Sequence, residues 1–558
     1  VTRDIDAAAW AWLIEPDTAG FLDILDALPA ARRDDALYVR CRYDLGLFCA
    51  VFFGARLPLP FSRFHQSTLR RVKTTWRDRP RPQRIADAAP RGNAKSTLES
   101  FCSLAHDAVY ALEAYVGIIS TTFSLSEDLV ADLHEVFTDP DTYADLHRVY
   151  GPIHATGSKT DFRVSVGIGE GRTRFKAFSF GGSIRGTKDA GVRPTKIVID
   201  DGEHPDRVRS PTQREKLWSY LTKDILKAGD TGTIFRVIGT VLHPDSMLSR
   251  ILGPTGEGAP GWQARRWQAV EAWPDRMDLW DRCKRLWADL SDPDREDTAR
   301  DYYRRHRAEM DRGARVLWPE KEPLYDLMIM LWTDGEASFY SEKQNIATDP
   351  ARQVFWPERW ARCSFDGEVI TSSKGRRVHL KSCRVAVWLD PRASEETERN
   401  DYAAVTLAAE DRLGYKYLLK TDLRRVGTLG QLDLMWAAFG IIGPAGLYGY
   451  EDNGFARLIG TILDDQRKAR RAAGRVWSLP LIGHASTENK NTRMSRLAPL
   501  FDLGWIEVAE DMDPIAVEQA REIPTGTHDD GPDSWERAIW LLEGGGSATF
   551  DGAASFGG

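Results

Sequence analysis

Hydrophobic and polar positions alternate along the chain in two long stretches. In the first, from 85 to about 250, short apolar runs alternate with amphipathic ones. Ile85–Ala89 predicts a short strand, Ser96–Tyr110 a helix, and Tyr115–Ser120 (YVGIIS) a buried strand. Ser126–Phe137 reads as a helix with Ser124 or Ser126 as N-cap. Phe162–Ile168 and Thr173–Phe180 form a hairpin around Gly169-Glu170-Gly171. Lys196–Asp200 (KIVID) is an apolar strand ending in acid, Pro211–Lys227 a helix and Thr233–Ile238 a strand. The second stretch starts at Arg384 with the strand VAVWLD. Strands Tyr402–Ala409 and Tyr415–Thr421, helix Leu429–Ala438, strand Leu447–Glu451 and a helix to about Arg470 follow. Val476–Ile482, Trp505–Val508 and a final helix Asp533–Leu542 complete it. Such alternation predicts an α/β fold with mainly parallel sheets covered on both faces.

The remainder is less periodic. Residues 1–62 read as helical, with turns near Pro16 and Pro58. Residues 63–84 hold eight Lys/Arg and one Asp, a solvated helix face leading into a Pro-rich turn. Residues 255–370 are Trp-rich and charged, with helices such as Asp294–Met310, and read as a lid or connecting subdomain. Residues 365–380 read as a linker. The Gly/Ser/Ala-rich tail from Gly544 reads as flexible.

Composition narrows the class. The 558 residues are 42% hydrophobic and 28% charged, enough for roughly three to five domain-sized pieces. A net charge of -7 excludes a globally basic nucleic-acid coat while leaving room for a local basic channel. No membrane-spanning run is expected. The start, VTRDIDAAAWAW, lacks the pattern of a signal peptide. Six cysteines without a CxxC pair point away from zinc ribbons and disulfide scaffolds, and a reducing, intracellular compartment is expected. The 19 tryptophans are expected in packing.

Candidate chemistry appears first at Ile85–Thr97 (IADAAPRGNAKST). A strand enters a Pro/Gly loop, Arg91-Gly92-Asn93-Ala94, then Lys95-Ser96-Thr97 and a helix. Loop and helix N–H groups can cradle phosphates, Lys95 supplies a point charge, and the Ser96 hydroxyl suits Mg2+. Ala89 and Ala94 stand where the usual pattern has glycines. In KIVIDDGE, Asp200 places a carboxylate at the C-terminal edge of a parallel sheet, where it can hold Mg2+. Asp201 or Glu203 can deprotonate water. Thr240, after the next strand, can sense the γ-phosphate.

A second set of acids ends elements in the other half. Asp390 ends VAVWLD, Glu451 ends LYGYE, and Asp529, Asp530 and Asp533 lie in HDDGPD before the last helix, where Asp533 can act as its cap. Carboxylates from separate segments converging on two divalent ions, about 3.5–4 Å apart, would activate water and stabilise a leaving 3′-oxygen. Mg2+ or Mn2+ suits such oxygen ligands. Asp401 reads as a turn residue and His528 as a residue behind the site. Arg467, Lys468, Arg470, Arg471, Arg475, Lys490, Arg493 and Arg496 lie between the second and third acids and can contact DNA phosphates, or simply face solvent.

As a set, PRGNAKST, IVIDDGE, VIGTVLHPDSML, WLDPR…NDYAAV, YEDNGF, ENKNTRMSRL and HDDGPD resemble the large terminase subunit of tailed double-stranded DNA bacteriophages, in that family's order over roughly 60–543. The resemblance implies a P-loop (additional-strand) ATPase core at 63–255 and a ribonuclease-H-like nuclease domain at 371–543. Residues 1–62 would be a helical extension, 256–370 a lid and linker, and 544–558 a tail. It implies ATP with Mg2+ at Lys95, Ser96 and Asp200, and a phosphate contact from Arg91. Asp201 or Glu203 is the implied hydrolytic acid, with coupling through Gly239-Thr240. A trans-acting arginine finger is implied at Arg185 rather than Arg193, and an adenine-contacting segment at Phe64-His65-Gln66. Nuclease metals would sit on Asp390, Glu451 and Asp529 or Asp530, with the third ligand left open among Asp529, Asp530 and Asp533. The implied partners are double-stranded DNA, the capsid portal, a small terminase subunit and further copies in a ring. The implied setting is the cytoplasm of the infected host, outside the mature virion. A helicase-nuclease of repair or defence, and a DNA-binding scaffold with degenerate sites, are the alternatives.

Overall fold

The computed structural model describes residues 18–77, 83–167, 171–253, 258–346, 354–391, 402–452, 456–474, 479–486, 488–524, 526 and 528–545. Two units share the chain. The first takes Val1–Asp275, Gly313–Met328 and Glu336–Asp349; the second takes Arg276–Arg312, Ile329–Gly335 and Pro350–Gly558. The residues read as a lid are thus divided between the two units.

An eight-stranded sheet organises the first unit. Its strands are β1 (Gln83–Ala88), β2 (Tyr115–Ser120), β3 (Ile153–Ser158), β4 (Asp161–Val166), β5 (Arg172–Ser179), β6 (Lys196–Asp200), β7 (Ile234–Gly239) and β8 (Gln263–Arg266). They lie in the order β3-β4-β5-β2-β6-β7-β1-β8. The central strands run parallel, and β7 is inserted between β1 and β6. This is the additional-strand arrangement. Strands β2, β6 and β7 are buried at every position, as parallel strands covered on both faces must be. The expected hairpin is the antiparallel pair β4–β5; its turn lies largely outside the described residues. A strand that the sequence pattern did not announce, β3, extends it as an exposed edge.

Residues 18–53 do not stand apart as an extension. Helices Thr18–Ala27, Ala30–Tyr43 and Leu45–Phe53 share one apolar core with the helix that follows β1. The Phe48 ring meets His106 edge-on at 4.9 Å, and the Tyr110 hydroxyl donates to the Tyr38 carbonyl oxygen at 2.6 Å. A short antiparallel ribbon, β9 (Val270–Ala272) with β10 (Arg315–Val316), completes the strands of this unit.

The second unit is built on nine strands: β11 (Ala361–Phe365), β12 (Val369–Ser372), β13 (Arg377–His379), β14 (Arg384–Asp390), β15 (Ala403–Glu410), β16 (Lys416–Arg424), β17 (Leu447–Glu451), β18 (Leu481–His484) and β19 (Ile506–Ala509). Strands β14, β15 and β16 form an antiparallel meander, and β17 then β18 add parallel to β14. That is the ribonuclease-H-like order. The helix Asp530–Leu542 covers β14 and β15, its buried Trp535, Ala538, Ile539 and Leu542 entering the core. Gly449 permits a close approach, since a side chain there would collide with the Trp388 ring.

Two features depart from expectation. Residues 365–380 are not a linker: β12 and β13 pair with one another, and β12 pairs with β11. Helices Met277–Trp287 and Arg295–Met310 belong to the second unit. There Trp287 stacks on Trp505 with centroids 5.4 Å apart, and Trp505 Nε1 donates to the Ala288 carbonyl oxygen at 2.8 Å. Among the described residues no helix is long and apolar enough to cross a membrane.

Candidate active sites

In the first unit, the loop after β1 turns into a helix at the C-terminal ends of β6 and β7. Gly92 (φ 84°) and Ala94 (φ 52°) both take left-handed backbone. Glycine does so freely, whereas alanine pays roughly 1–2 kcal/mol. The turn delivers Lys95 and Ser96 to the sheet edge. Lys95 Nζ donates to Thr240 Oγ1 at 3.1 Å and lies 4.0 Å from Asp201 Oδ1. Ser96 Oγ donates to Asp200 Oδ1 at 2.9 Å. Thr97 opens a turn of wider, π-type winding that runs to Cys102. Burial pushes the Asp200 carboxyl up to about 6, and the neighbouring Asp201 charge adds to this, against Ser100, Ser96 and Lys95.

The two candidate hydrolytic acids are placed very differently. The Glu203 carboxylate accepts the N–H groups of Met247 (2.7 Å) and Leu248 (3.0 Å), at the start of the helix Met247–Leu252. It serves there as the anion at a helix N-terminus. Burial raises its pKa, and these backbone donors oppose the rise. The Asp201 side chain is 52% exposed beside Lys95, on a residue with φ 46°. Asp201 is therefore the acid open to the loop.

Other expected residues are distributed around this edge. Arg91 is exposed, 3.7 Å from Glu342. The Asn93 amide is buried in the loop with neither side-chain atom hydrogen-bonded. Arg185 pairs with Asp224 at 2.8 Å and also donates to the Lys223 carbonyl oxygen. Arg193 donates to the carbonyl oxygens of Lys227 and Gly229. Phe64 and His65 are fully buried, so neither offers a face to a base. Instead His65 Nδ1 accepts the Ser62 N–H, which puts the ring proton on Nε2, and Nε2 donates to the Asn93 carbonyl oxygen at 2.8 Å.

In the second unit, carboxylate oxygens of Asp390, Glu451 and Asp533 lie within 4.8 Å of one another, all three residues buried. Asp390 and Glu451 end the adjacent parallel strands β14 and β17. Asp533 faces inward from the first turn of the last helix. It does not cap that helix, which begins at Asp530 with Asp529 in the cap position. Gly531 lets this turn approach closely, since a side chain there would press on Ala516 at 2.9 Å. The third member is thus Asp533. Asp529 stands beside the cluster, 3.7 Å from Lys490. Asp530 accepts from Gln519 Nε2 at 3.4 Å. Asp401 and Arg475 lie outside the described residues.

Two basic residues that the sequence suggested for DNA phosphates are turned into the cluster. Lys490 Nζ is 2.9 Å from Asp533 Oδ2 and 4.0 Å from Asp390 Oδ2. Arg493 is 2.8 Å from Asp533 Oδ1 and donates to Glu536 at 2.7 Å. Their i,i+3 spacing, behind the Asn489 cap, was the signal that both share one helix face. Of the others, Arg467, Lys468 and Arg496 pair with Asp464, Asp465 and Glu488, and Arg470 lies over the Trp436 ring. Burial drives the Asp390 pKa well above the usual carboxylate range; Lys490 opposes this, and Asp533, Glu451 and Asp530 add to it. Asp390 Oδ2 and Glu451 Oε2 are buried with no hydrogen-bond donor. Unpaired oxygens on converging buried acids fit a hard divalent cation.

No protein-family model and no curated protein sequence matches the chain. Solved structures do. The large terminase of the thermophilic bacteriophage D6E is similar at 9% identity over 87% of this chain and 99% of that one, with a TM-score of 0.43. An ATPase-domain variant of the Thermus phage P74-26 large terminase is similar at 12% identity over 53% of this chain and 98% of that one, with a TM-score of 0.29. The human cytomegalovirus terminase nuclease domain is similar at 12% identity over 28% of this chain and 82% of that one, with a TM-score of 0.22. These structural neighbours are, respectively, a large terminase, a terminase ATPase domain and a terminase nuclease domain.

Proposed function

We propose that the chain is a DNA-packaging motor and nuclease, the large subunit of a terminase. One observation carries this reading. A single chain holds a Lys95–Ser96–Asp200–Thr240 constellation on an additional-strand sheet and an Asp390–Glu451–Asp533 cluster on a ribonuclease-H-like sheet. The first suits nucleoside triphosphate hydrolysis. Lys95 and the loop N–H groups would hold the phosphates, and Ser96 and Asp200 the accompanying Mg2+. Asp201 would take the proton of the attacking water, and the Thr240 hydroxyl, already bonded to Lys95, would register the γ-phosphate. Arg185 would have to leave Asp224 to serve a neighbouring subunit.

The second constellation suits phosphodiester cleavage. Asp390, Glu451 and Asp533 would hold Mg2+ or Mn2+, with Asp529 close enough to join. Divalent ions there supply positive charge to an attacked phosphodiester and make water more acidic. Lys490 and Arg493 fix the orientation of Asp533 and balance the acids. Double-stranded DNA is what the first activity would move and the second would cut, and a capsid portal, a small terminase subunit and further copies of the chain are the partners in this reading.

The test is plasmid cleavage in Mn2+ and ATP turnover, measured side by side for wild type, Asp390→Ala and Lys95→Ala. The reading expects Asp390→Ala to lose cutting and keep turnover, and Lys95→Ala to do the reverse. Absence of both activities from wild type would overturn it.

A further inference from the structure

The phosphate loop of the first unit is gripped from outside at three successive carbonyl oxygens. Lys343 Nζ donates to the Arg91 oxygen at 2.9 Å, Lys321 Nζ donates to the Gly92 oxygen, and His65 Nε2 donates to the Asn93 oxygen at 2.8 Å. A planar trans peptide points its N–H opposite to its C=O. The Gly92 and Ala94 N–H groups therefore face away from these donors. The loop backbone also pairs directly with the backbone beside Lys343, Arg91 N–H donating to the Glu342 carbonyl oxygen at 2.9 Å. Lys343 is itself oriented by an ion pair with Glu322, and its carbonyl oxygen accepts the Ala269 N–H at 2.8 Å.

The same short segment grips the end of β7. Asn345 Oδ1 accepts the Val241 N–H at 3.0 Å, and Ser341 Oγ donates to the Val241 carbonyl oxygen at 3.1 Å. Val241 directly follows Thr240. Asn345 is fully buried, takes left-handed backbone (φ 51°), and anchors itself by donating to the Trp267 carbonyl oxygen at 2.8 Å. Five residues, Ser341–Asn345, thus hold both elements that meet at the Lys95–Thr240 hydrogen bond.

We infer that Ser341–Asn345 is a positioning strap that joins the phosphate loop to the end of β7. Lys343 sets the loop for nucleotide binding, and Asn345 sets Thr240 for hydrolysis. The inference rests on the nucleotide-site reading above. A loop released at Lys343 meets diphosphate and triphosphate equally poorly, so binding suffers. A strand end released at Asn345 still faces a formed loop, so nucleotide binds and turnover suffers.

The experiment measures Mg-ADP affinity by displacement of a fluorescent nucleotide, together with kcat and KM for ATP. One lost buried hydrogen bond corresponds to about a fivefold to tenfold effect. Lys343→Met is expected to weaken ADP binding by about tenfold with kcat within about twofold, and Lys343→Arg to restore most of it. Asn345→Gly, which accepts left-handed backbone, is expected to lower kcat by about tenfold with ADP affinity within about twofold. Should Asn345→Gly melt early, Ser341→Ala must give the same selective fall in kcat, by about threefold. The strap is overturned if kcat and binding move together in both sets, if neither moves, or if Lys343→Arg is as poor as Lys343→Met. Wild type that neither binds ADP nor turns over ATP would instead remove the nucleotide reading, and the strap with it.

Discussion

Both candidate sites set acids at the C-terminal ends of parallel strands, yet their charges are balanced in different ways. In the first, Asp200 is partnered by a neutral hydroxyl, and Lys95 donates to Thr240 and lies 4.0 Å from Asp201. In the second, three buried carboxylates share one face with Lys490 and Arg493. Buried like charges are tolerable only when neutralised or matched by counter-ions. An edge with an open loop and a lysine beside it is suited to a ligand that brings negative charge together with its own metal. An edge crowded with acids is suited to cations directly.

The largest expected effect would separate the two edges. Asp390→Asn should lower Mn2+-dependent plasmid cutting by at least about a hundredfold, with ATP turnover within about twofold. Equal loss of both activities would erase the distinction between the sites. The next resolves the first edge internally. Asp201→Asn should lower turnover by about a hundredfold. Glu203→Gln should act on stability, about 1 kcal/mol read as a lower Tm, because it weakens an anion at a helix N-terminus. The opposite ranking would transfer the hydrolytic role to Glu203.

A smaller effect concerns pH in the first unit. Burial holds His65 down to about 4 and His106 down to about 3. Their ordinary value is 6.5, so the unfolded chain binds more protons between these limits. Stability from these neutral rings is complete above about 6.5 and is lost as pH falls through 6.5 towards 4 and 3. Urea unfolding followed in the first unit should show a decline of the order of 3 kcal/mol for each ring from pH 7 to 4. His65→Gln should remove about half of it and leave the part that His106 carries. A slope unchanged in that variant would mean that the ring titrates normally. The smallest effect concerns Asp530, which is turned to Gln519. Asp530→Asn should cut within about threefold of wild type, and a loss as deep as that of Asp390→Asn would enlarge the cluster.

Largely apolar, buried runs were the most legible strands. YVGIIS, KIVID and LYGYE coincide with β2, β6 and β17. Edge strands were not. IHATGS (β3) and the short polar β12 and β13 carry no strong period, because one or both of their faces meet water. Sequence order brought Lys95, Ser96, Asp200 and Thr240 into one proposal, and the fold gathers them at one edge. The three aspartates of HDDGPD are equivalent by composition, and only the phase of the helix turns Asp533 inward. The roles of Lys490, Arg493 and His65 were misjudged for a related reason. A charge or a ring in sequence shows what it can bond, whereas its partner is set by contacts far along the chain.

The division of the chain bears on dissecting the molecule by truncation. The backbone passes between the units after Asp275, Arg312, Met328, Gly335 and Asp349. A fragment beginning at Pro350 would retain every strand of the nuclease-like sheet but strip Trp287 from Trp505 and the Leu290 N–H from the Tyr415 hydroxyl. Such a piece is expected to be sticky and short-lived in solution. Keeping residues 276–312, spliced or supplied as a second chain, should restore its solubility. Because the chain changes unit five times, no single cut yields either unit whole.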